Sequence, residues 1–170
     1  MRFARLVAAT TLAVAATPVL GVVTASPAAA DACTGSGGVT VVVDGGPLGG
    51  GVDETCVGSG GRADALFASA GHRLEYQPGD PGYVCYVDSR PGADCGRDKA
   101  ALNYWSLWWS DGESGSWVYS GLGVRSLTVP DGGYVAWVWQ NDGTRTVPAT
   151  SAAPRTSAPG SGSGGSAPAN

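Results

Sequence analysis

The sequence predicts an α+β protein in which a mostly antiparallel sheet carries one helix packed on one of its faces. Short stretches rich in β-branched and aromatic residues recur between turns that contain glycine and proline, and this pattern is typical of strands. Only one stretch, residues 59–71, has apolar residues at helical spacing. One helix among about seven short strands indicates a sheet domain of two layers.

The first two strands are expected to form a hairpin. Residues 39–43 are β-branched throughout, which favours a strand. A glycine-rich stretch, residues 44–51, then leads into a second strand at 52–57. A phosphate-binding loop is not expected here, because such a loop needs a Gly-Lys-Ser/Thr sequence that opens a helix, whereas a strand follows and no lysine is present.

The predicted helix has one apolar face, formed by Ala63, Leu66, Phe67 and Ala70. Ser59 is expected to cap its start, and Gly71 is expected to take the left-handed position after its end. His72 is the only histidine in the chain. Because it has no cysteine or acidic partner at motif spacing, we expect it on the surface rather than in a catalytic or metal site.

Further strands are predicted at residues 73–76, 83–87, 104–110, 117–119, 127–129 and 134–139. In the 104–110 stretch, alternation places Trp105 and Trp109 on one face of the sheet and Tyr104 and Trp108 on the other. A helix is the alternative for this stretch, since residues 99–102 favour one.

The N-terminus has the three parts of a secretory signal peptide. Arg2 and Arg5 precede an apolar run at residues 6–23, and small residues follow up to Ala30. Cleavage is predicted after Ala30, with Ala32 as the second choice. The alternative is an uncleaved anchor, since the apolar run has about the length of a membrane span. The mature chain is therefore expected to be secreted or extracellular, free or associated with the cell surface, and to contain no membrane span.

Four cysteines follow the signal peptide: Cys33, Cys56, Cys85 and Cys95. An even count in a small exported chain indicates two disulfides. Three pairings are possible, and proximity in the sequence favours Cys33–Cys56 and Cys85–Cys95. No pair has C-x-x-C spacing, so neither a redox motif nor a metal site is expected.

Composition divides the mature chain into a domain at residues 31–146 and a tail at residues 147–170. The tail consists mostly of Ala, Pro, Ser, Gly and Thr without an aromatic residue, which predicts disorder. The domain has about 115 residues, which suits one compact unit. The net charge of −4 becomes more negative when Arg2 and Arg5 are removed, so neither nucleic acid nor an anionic membrane is an expected partner.

All six tryptophans lie in a short part of the chain, between Trp105 and Trp139. Aromatic residues beyond those that fill the core are expected to face outward and to bind a small molecule or a cell-envelope partner. The predicted ligand-binding residues are Tyr104, Trp108, Tyr119 and Tyr134. The alternative is that all of these aromatics belong to the core.

Catalytic constellations are not recognisable in the sequence, so the chain is not expected to be an enzyme or to carry a cofactor. Asp53 and Glu54 are adjacent on a strand and therefore point to opposite faces. One histidine would have to serve any catalytic triad, and no serine lies in a G-x-S-x-G motif.

Several segments occur in a fixed order: GVTVVVD at residues 38–44, PLGGGV at 47–52, ADAL at 63–66, GYVCYVD at 82–88, YW at 104–105 with Trp108, WVYS at 117–120 and GYVAW at 133–137. In this order they resemble the transcobalamin-like C-terminal domain of actinobacterial secreted proteins, over residues 33–141. The resemblance implies a β-grasp-like fold: a hairpin, a helix, and further strands that end in an aromatic strand.

In vitamin B12 carriers this type of domain closes over a corrinoid held against a larger helical domain, so the resemblance makes cobalamin one candidate ligand. About 115 folded residues are not expected to include the helical domain. No corrinoid-contacting residue can be transferred, because the matching segments are structural. The expected function is a secreted or cell-surface binding module. The alternative is a structural or interaction domain of the cell envelope on a flexible stalk.

Overall fold

The computed structural model describes residues 32–92, 103–141 and 143–155. In these ranges the strands are β1 (Val39–Asp44), β2 (Val52–Val57), β3 (Gly61–Arg62), β4 (Leu74–Gln77), β5 (Asp80–Val87), β6 (Tyr104–Ser110), β7 (Val118–Tyr119), β8 (Thr128–Val129) and β9 (Tyr134–Gln140). The helix α1 is Ala63–Ser69, and a 3-10 turn at Gly46–Leu48 lies between β1 and β2. The 104–110 stretch is a strand, so the helix alternative for it is wrong.

The main sheet has five strands in the order β2-β1-β9-β6-β7. β1 runs parallel to β9, and the other neighbouring pairs are antiparallel. Two small sheets, β3-β8 and β4-β5, complete the described part of the chain. The architecture is therefore α+β with a mostly antiparallel sheet, as the sequence predicts. The central parallel pair is buried on both faces, which explains why β1 is almost purely β-branched.

Helix α1 packs on one face of the main sheet, which we call the helix face. Phe67 is fully buried there, and its ring centroid lies 5.9 Å from that of Trp137 on β9. Val135, Trp105 and Leu107 belong to the same apolar cluster. The alternation predicted for β6 is therefore confirmed, because its odd-numbered residues point toward the helix, as do those of β9.

The helix is shorter than predicted, because Gly61 and Arg62 pair with β8 instead of starting the helix. Arg62 is the N-cap, and no side chain caps this end, so the prediction that Ser59 caps the helix is wrong. The C-terminal end follows the prediction. Gly71 has a φ of 90°, and the His72 N–H donates to the Phe67 carbonyl over 2.9 Å, which closes the helix end.

The Cys33–Cys56 disulfide is confirmed, and it ties the start of the described chain to β2. Gly38 lies against this bridge with a φ of 75°, where a Cβ atom would come within 2.9 Å of the Cys33 sulfur. Cys85 is buried on β5, but Cys95 lies outside the described residues, so the Cys85–Cys95 pair stays a prediction. The cleavage site after Ala30 also lies outside the described residues. Of the helices that the structure describes, none has the length and apolar character needed to span a membrane.

Candidate functional site

The four aromatic residues predicted to bind a ligand lie on the sheet face opposite α1, which we call the second face. Alternation along β6 places Tyr104 and Trp108 there, and strand register brings Tyr119 beside Trp108 and Tyr134 beside Ser110. Their exposure differs from the prediction. Trp108 is only 6% exposed and Tyr134 only 5%, while Tyr104 and Tyr119 are partly buried. The expectation that Trp108 and Tyr134 face solvent is therefore wrong.

The cover of the second face is the C-terminal end of the described chain. Residues 146–155, which we call the strap, have no regular secondary structure and run from the end of β9 back toward its beginning. The sequence predicts a disordered tail from residue 147 onward, but the described part of that tail lies on the sheet. The predicted domain boundary is thus too early, and residues 156–170 lie outside the described residues.

The N-terminal end of the strap is bound by Gln140, a buried residue at the end of β9. The Gln140 amide nitrogen donates to the Thr146 carbonyl over 2.9 Å, and the Thr146 N–H donates to the amide oxygen of Gln140 over 2.8 Å. The same amide nitrogen donates to Ser106 Oγ, which also accepts the indole N–H of Trp108. This network fixes Trp108 within the domain, because its only polar group is already bonded to Ser106.

The middle of the strap is held by two carboxylates and one indole. Asp44 accepts the Ala149 N–H over 3.1 Å, and Glu54 accepts the Thr150 hydroxyl over 2.6 Å. The Trp117 indole N–H donates to the Thr150 carbonyl over 2.7 Å. Two residues further on, the Ala152 side chain is 2% exposed. A small side chain is therefore required at that position, while most of the polar contacts go to the backbone.

The C-terminal end of the strap is held by Tyr134 and by the backbone carbonyl of Gly38. The Tyr134 hydroxyl donates to the Ala153 carbonyl over 2.8 Å, and the Arg155 guanidinium lies 4.0 Å from the centroid of the Tyr134 ring. Arg155 also donates to the Gly38 carbonyl and to the Thr40 hydroxyl. A cation over an aromatic face is attracted by its negative charge density, so this end of the second face is selective for a basic side chain.

Sequence reasoning missed the strap because it judged the tail by its own composition. The tail contains no aromatic residue, and such a segment cannot form a core of its own. Its carbonyls, N–H groups and single arginine are instead bound by residues of the domain. Two proline residues, Pro148 and Pro154, were the available signal, because proline and the residue before it favour the extended conformation that such contacts require.

His72 is the second candidate for a functional group. It is 9% exposed, so the expected surface position is wrong, and its Nδ1 lies 2.8 Å from a carboxylate oxygen of Asp88. The other oxygen of Asp88 accepts the Arg73 N–H over 2.8 Å. In a catalytic triad the second ring nitrogen would meet a hydroxyl or thiol, but His72 Nε2 has no hydrogen-bond partner among the described residues. The pair joins the end of α1 to the end of β5.

Groups with shifted pKa values lie outside the contacts between the second face and the strap. Hydrogen bonds from the Arg62 guanidinium lower the pKa of Asp64, and backbone N–H groups of Ser114 and Glu113 lower the pKa of Asp111. Burial raises the pKa of the Tyr83 phenol. In the part of the chain that the structure describes, no cluster of three or more His, Cys, Asp or Glu residues could hold a metal.

Comparison with known proteins finds no matching family model, no similar curated protein and no similar solved structure. The likeness to a transcobalamin-like domain therefore depends on the sequence segments alone and stays a prediction.

Proposed function

We propose that this chain is an exported, non-catalytic binding module and that the second face is its binding surface. The observation that carries the proposal is the way this face holds the strap. Gln140, Trp117 and Tyr134 direct side-chain hydrogen bonds to strap backbone atoms, with donor–acceptor distances of 2.7–2.9 Å. Side-chain hydrogen-bonding groups beside aromatic rings are common on protein surfaces that recognise an extended polypeptide.

Export is supported by two features of the N-terminal half. The chain begins with a segment of signal-peptide type, and the Cys33–Cys56 disulfide is of the kind that persists in oxidising compartments. The secreted or cell-surface location is part of the proposal.

A β-grasp-like arrangement is supported by the topology. A β1-β2 hairpin precedes the helix, and the last strand, β9, runs parallel to β1 in the centre of the sheet. In this arrangement the helix covers one face only, which leaves the second face to bind a partner. A cell-envelope polypeptide fits this surface better than cobalamin does, because Trp117 and Tyr134 donate hydrogen bonds to backbone carbonyls of the strap.

The experiment measures limited trypsin cleavage of the mature chain in the presence of candidate ligands. Cleavage after Arg155 requires the strap to dissociate from the second face. The Arg155 N–H donates to the Gly112 carbonyl over 2.7 Å, and its guanidinium lies over the Tyr134 ring. Arg125, an exposed residue outside the strap, is the matched control site.

A ligand of the second face should accelerate cleavage after Arg155 several-fold and leave cleavage after Arg125 unchanged. We expect this result with polypeptides of the cell envelope. Acceleration by cobalamin alone would favour the corrinoid hypothesis. If neither ligand changes the ratio of the two cleavage rates, the binding proposal is wrong, and a structural domain of the envelope becomes the better interpretation.

A further inference from the structure

The strap itself indicates what the second face binds, and this inference rests on the proposed function. We propose that the second face is a site for extended Pro/Ala-rich polypeptide segments with the pattern Thr-x-Ala-x-x-Arg, and that the strap is its intramolecular occupant. A partner with this pattern would bind only after the strap has left.

The three fixed positions of the pattern follow from the contacts of the strap. Thr150 donates to Glu54, Ala152 is almost completely buried, and Arg155 lies on the Tyr134 ring. The side chains between them, Ser151, Ala153 and Pro154, are exposed, so these positions can vary. A hydroxyl, a small side chain and a guanidinium at this spacing define the ligand.

The backbone contacts fit an extended chain with a repeat of three residues. The Trp117 indole and the Tyr134 hydroxyl donate to the carbonyls of Thr150 and Ala153, which are three residues apart. A polyproline II chain has three residues per turn, so carbonyls at this spacing point in the same direction. Pro148 and Pro154 favour that conformation in the strap, and a partner rich in proline and alanine would be preorganised in the same way.

The charge of the face also favours a basic segment. Asp44 and Glu54 both lie under the middle of the strap, and the chain as a whole has a net charge of −4. Complementary charge raises the rate of encounter and disfavours acidic competitors. An acidic peptide would therefore be a poor ligand, even with the correct small residue.

The strap is suited to leave the face because little apolar surface holds it there. Pro148 and Ala152 are its buried apolar side chains among the described residues, whereas most of the remaining contacts are hydrogen bonds that water or another chain can replace. Its covalent connection to β9 gives it a high effective concentration, so it competes strongly with a free peptide of the same sequence.

The test uses the full mature chain with the substitution Ala152→Arg. A large charged side chain cannot occupy the buried position of Ala152, so the strap should leave while every residue of the second face stays native. The probe is a fluorescently labelled synthetic peptide with the sequence of residues 146–156, and binding is measured by fluorescence anisotropy. The matched control is the same peptide with the Ala152→Arg change.

We expect the variant chain to bind the native peptide about 100-fold more tightly than the wild-type chain does, because the competing strap has been released. The control peptide should not bind to either chain. A folded variant, shown by an unchanged circular dichroism spectrum, that does not bind the native peptide would overturn the inference.

If the Ala152→Arg chain does not fold, the milder substitution Arg155→Gln provides the test. It removes the cation from the Tyr134 ring while the buried alanine stays in place. This chain should bind the native peptide more tightly than the wild-type chain does, and an equal affinity would again overturn the inference.

In parallel, cobalamin and envelope polypeptides are added to the Ala152→Arg chain, or to the Arg155→Gln chain where that variant is used. Binding of either one without binding of the peptide would contradict the Thr-x-Ala-x-x-Arg pattern while leaving the binding-module proposal intact. Absence of binding to all three ligands would contradict both.

Discussion

The two faces of the main sheet are closed by different kinds of contact. The helix face is covered by a regular element whose apolar side chains, Phe67 among them, enter a continuous core. The second face has fully or almost fully buried polar groups, including Thr40, Ser106 and Gln140, and a cover without regular structure. A cover held by apolar burial cannot leave without exposing the core to water, whereas a cover held by directed hydrogen bonds can be exchanged for another chain that offers the same groups.

The largest difference between the faces should appear when the core contact of the helix is removed. Phe67→Ala is expected to lower the free energy of unfolding by about 3–5 kcal/mol, because Phe67 is fully buried against Trp137 and the change leaves a cavity. Urea denaturation followed by tryptophan fluorescence measures this loss. A loss below about 1 kcal/mol would mean that neighbouring side chains fill the cavity, and it would weaken the contrast between the two faces.

A smaller loss is expected from the buried polar network of the second face. Gln140→Leu keeps the approximate volume of the side chain but leaves the Thr146 N–H and carbonyl without their partners. The expected loss in the free energy of unfolding is about 1–3 kcal/mol. The same urea titration measures it, and trypsin cleavage after Arg155 should become faster in this variant. Unchanged cleavage would show that the hydrogen bonds between Gln140 and Thr146 do not affect the accessibility of Arg155 at the other end of the strap.

A loss smaller still is expected from one hydrogen bond in the middle of the strap. Trp117→Phe removes the indole N–H that donates to the Thr150 carbonyl, and it keeps an aromatic ring beside Tyr134. We expect a loss of about 1 kcal/mol. The matched control is Trp139→Phe, because Trp139 packs on the helix face. Faster cleavage after Arg155 in the Trp117 variant, but not in the control, would localise the effect to the strap. Equal cleavage in both variants would contradict this assignment.

The sequence predicted the helix face well because that face follows from periodicity. Alternation along β6 separates Trp105 from Trp108, and helical spacing identifies Phe67 as a core residue; both assignments agree with the structure. Periodicity records only whether a side chain points toward one face or the other. It does not record what covers that face, and for this reason Trp108 was expected to be exposed.

The contacts of the strap and of the His72–Asp88 pair could not be predicted from periodicity or composition, because each joins distant parts of the chain. Thr150 and Glu54 are 96 residues apart, and His72 and Asp88 are separated by the β4-β5 hairpin. In both cases the short polar contact forms only because the sheet brings the two segments together. The composition of residues 147–155 alone predicts disorder, since such a segment has too little apolar surface to fold by itself.

The smallest expected effect concerns the Arg62–Asp64 ion pair on the helix side of the molecule, and it sharpens the comparison with the buried apolar contacts of the helix face. Arg62 donates two hydrogen bonds of 2.8 Å to Asp64, and these lower the pKa of Asp64 from its ordinary value of 3.8. A carboxyl whose pKa is lower in the folded protein stabilises the fold at pH values above 3.8. This contribution disappears as the pH falls through the folded-state pKa.

The thermal midpoint of Asp64→Asn should therefore lie slightly below that of the wild type at pH 7, and the difference should vanish in acid below the folded-state pKa of Asp64. The effect should be small, because the Arg62 side chain is largely exposed and solvent screens the pair. Calorimetry at several pH values measures the difference. A difference that grows on acidification would mean that Asp64 is not the group that senses pH there.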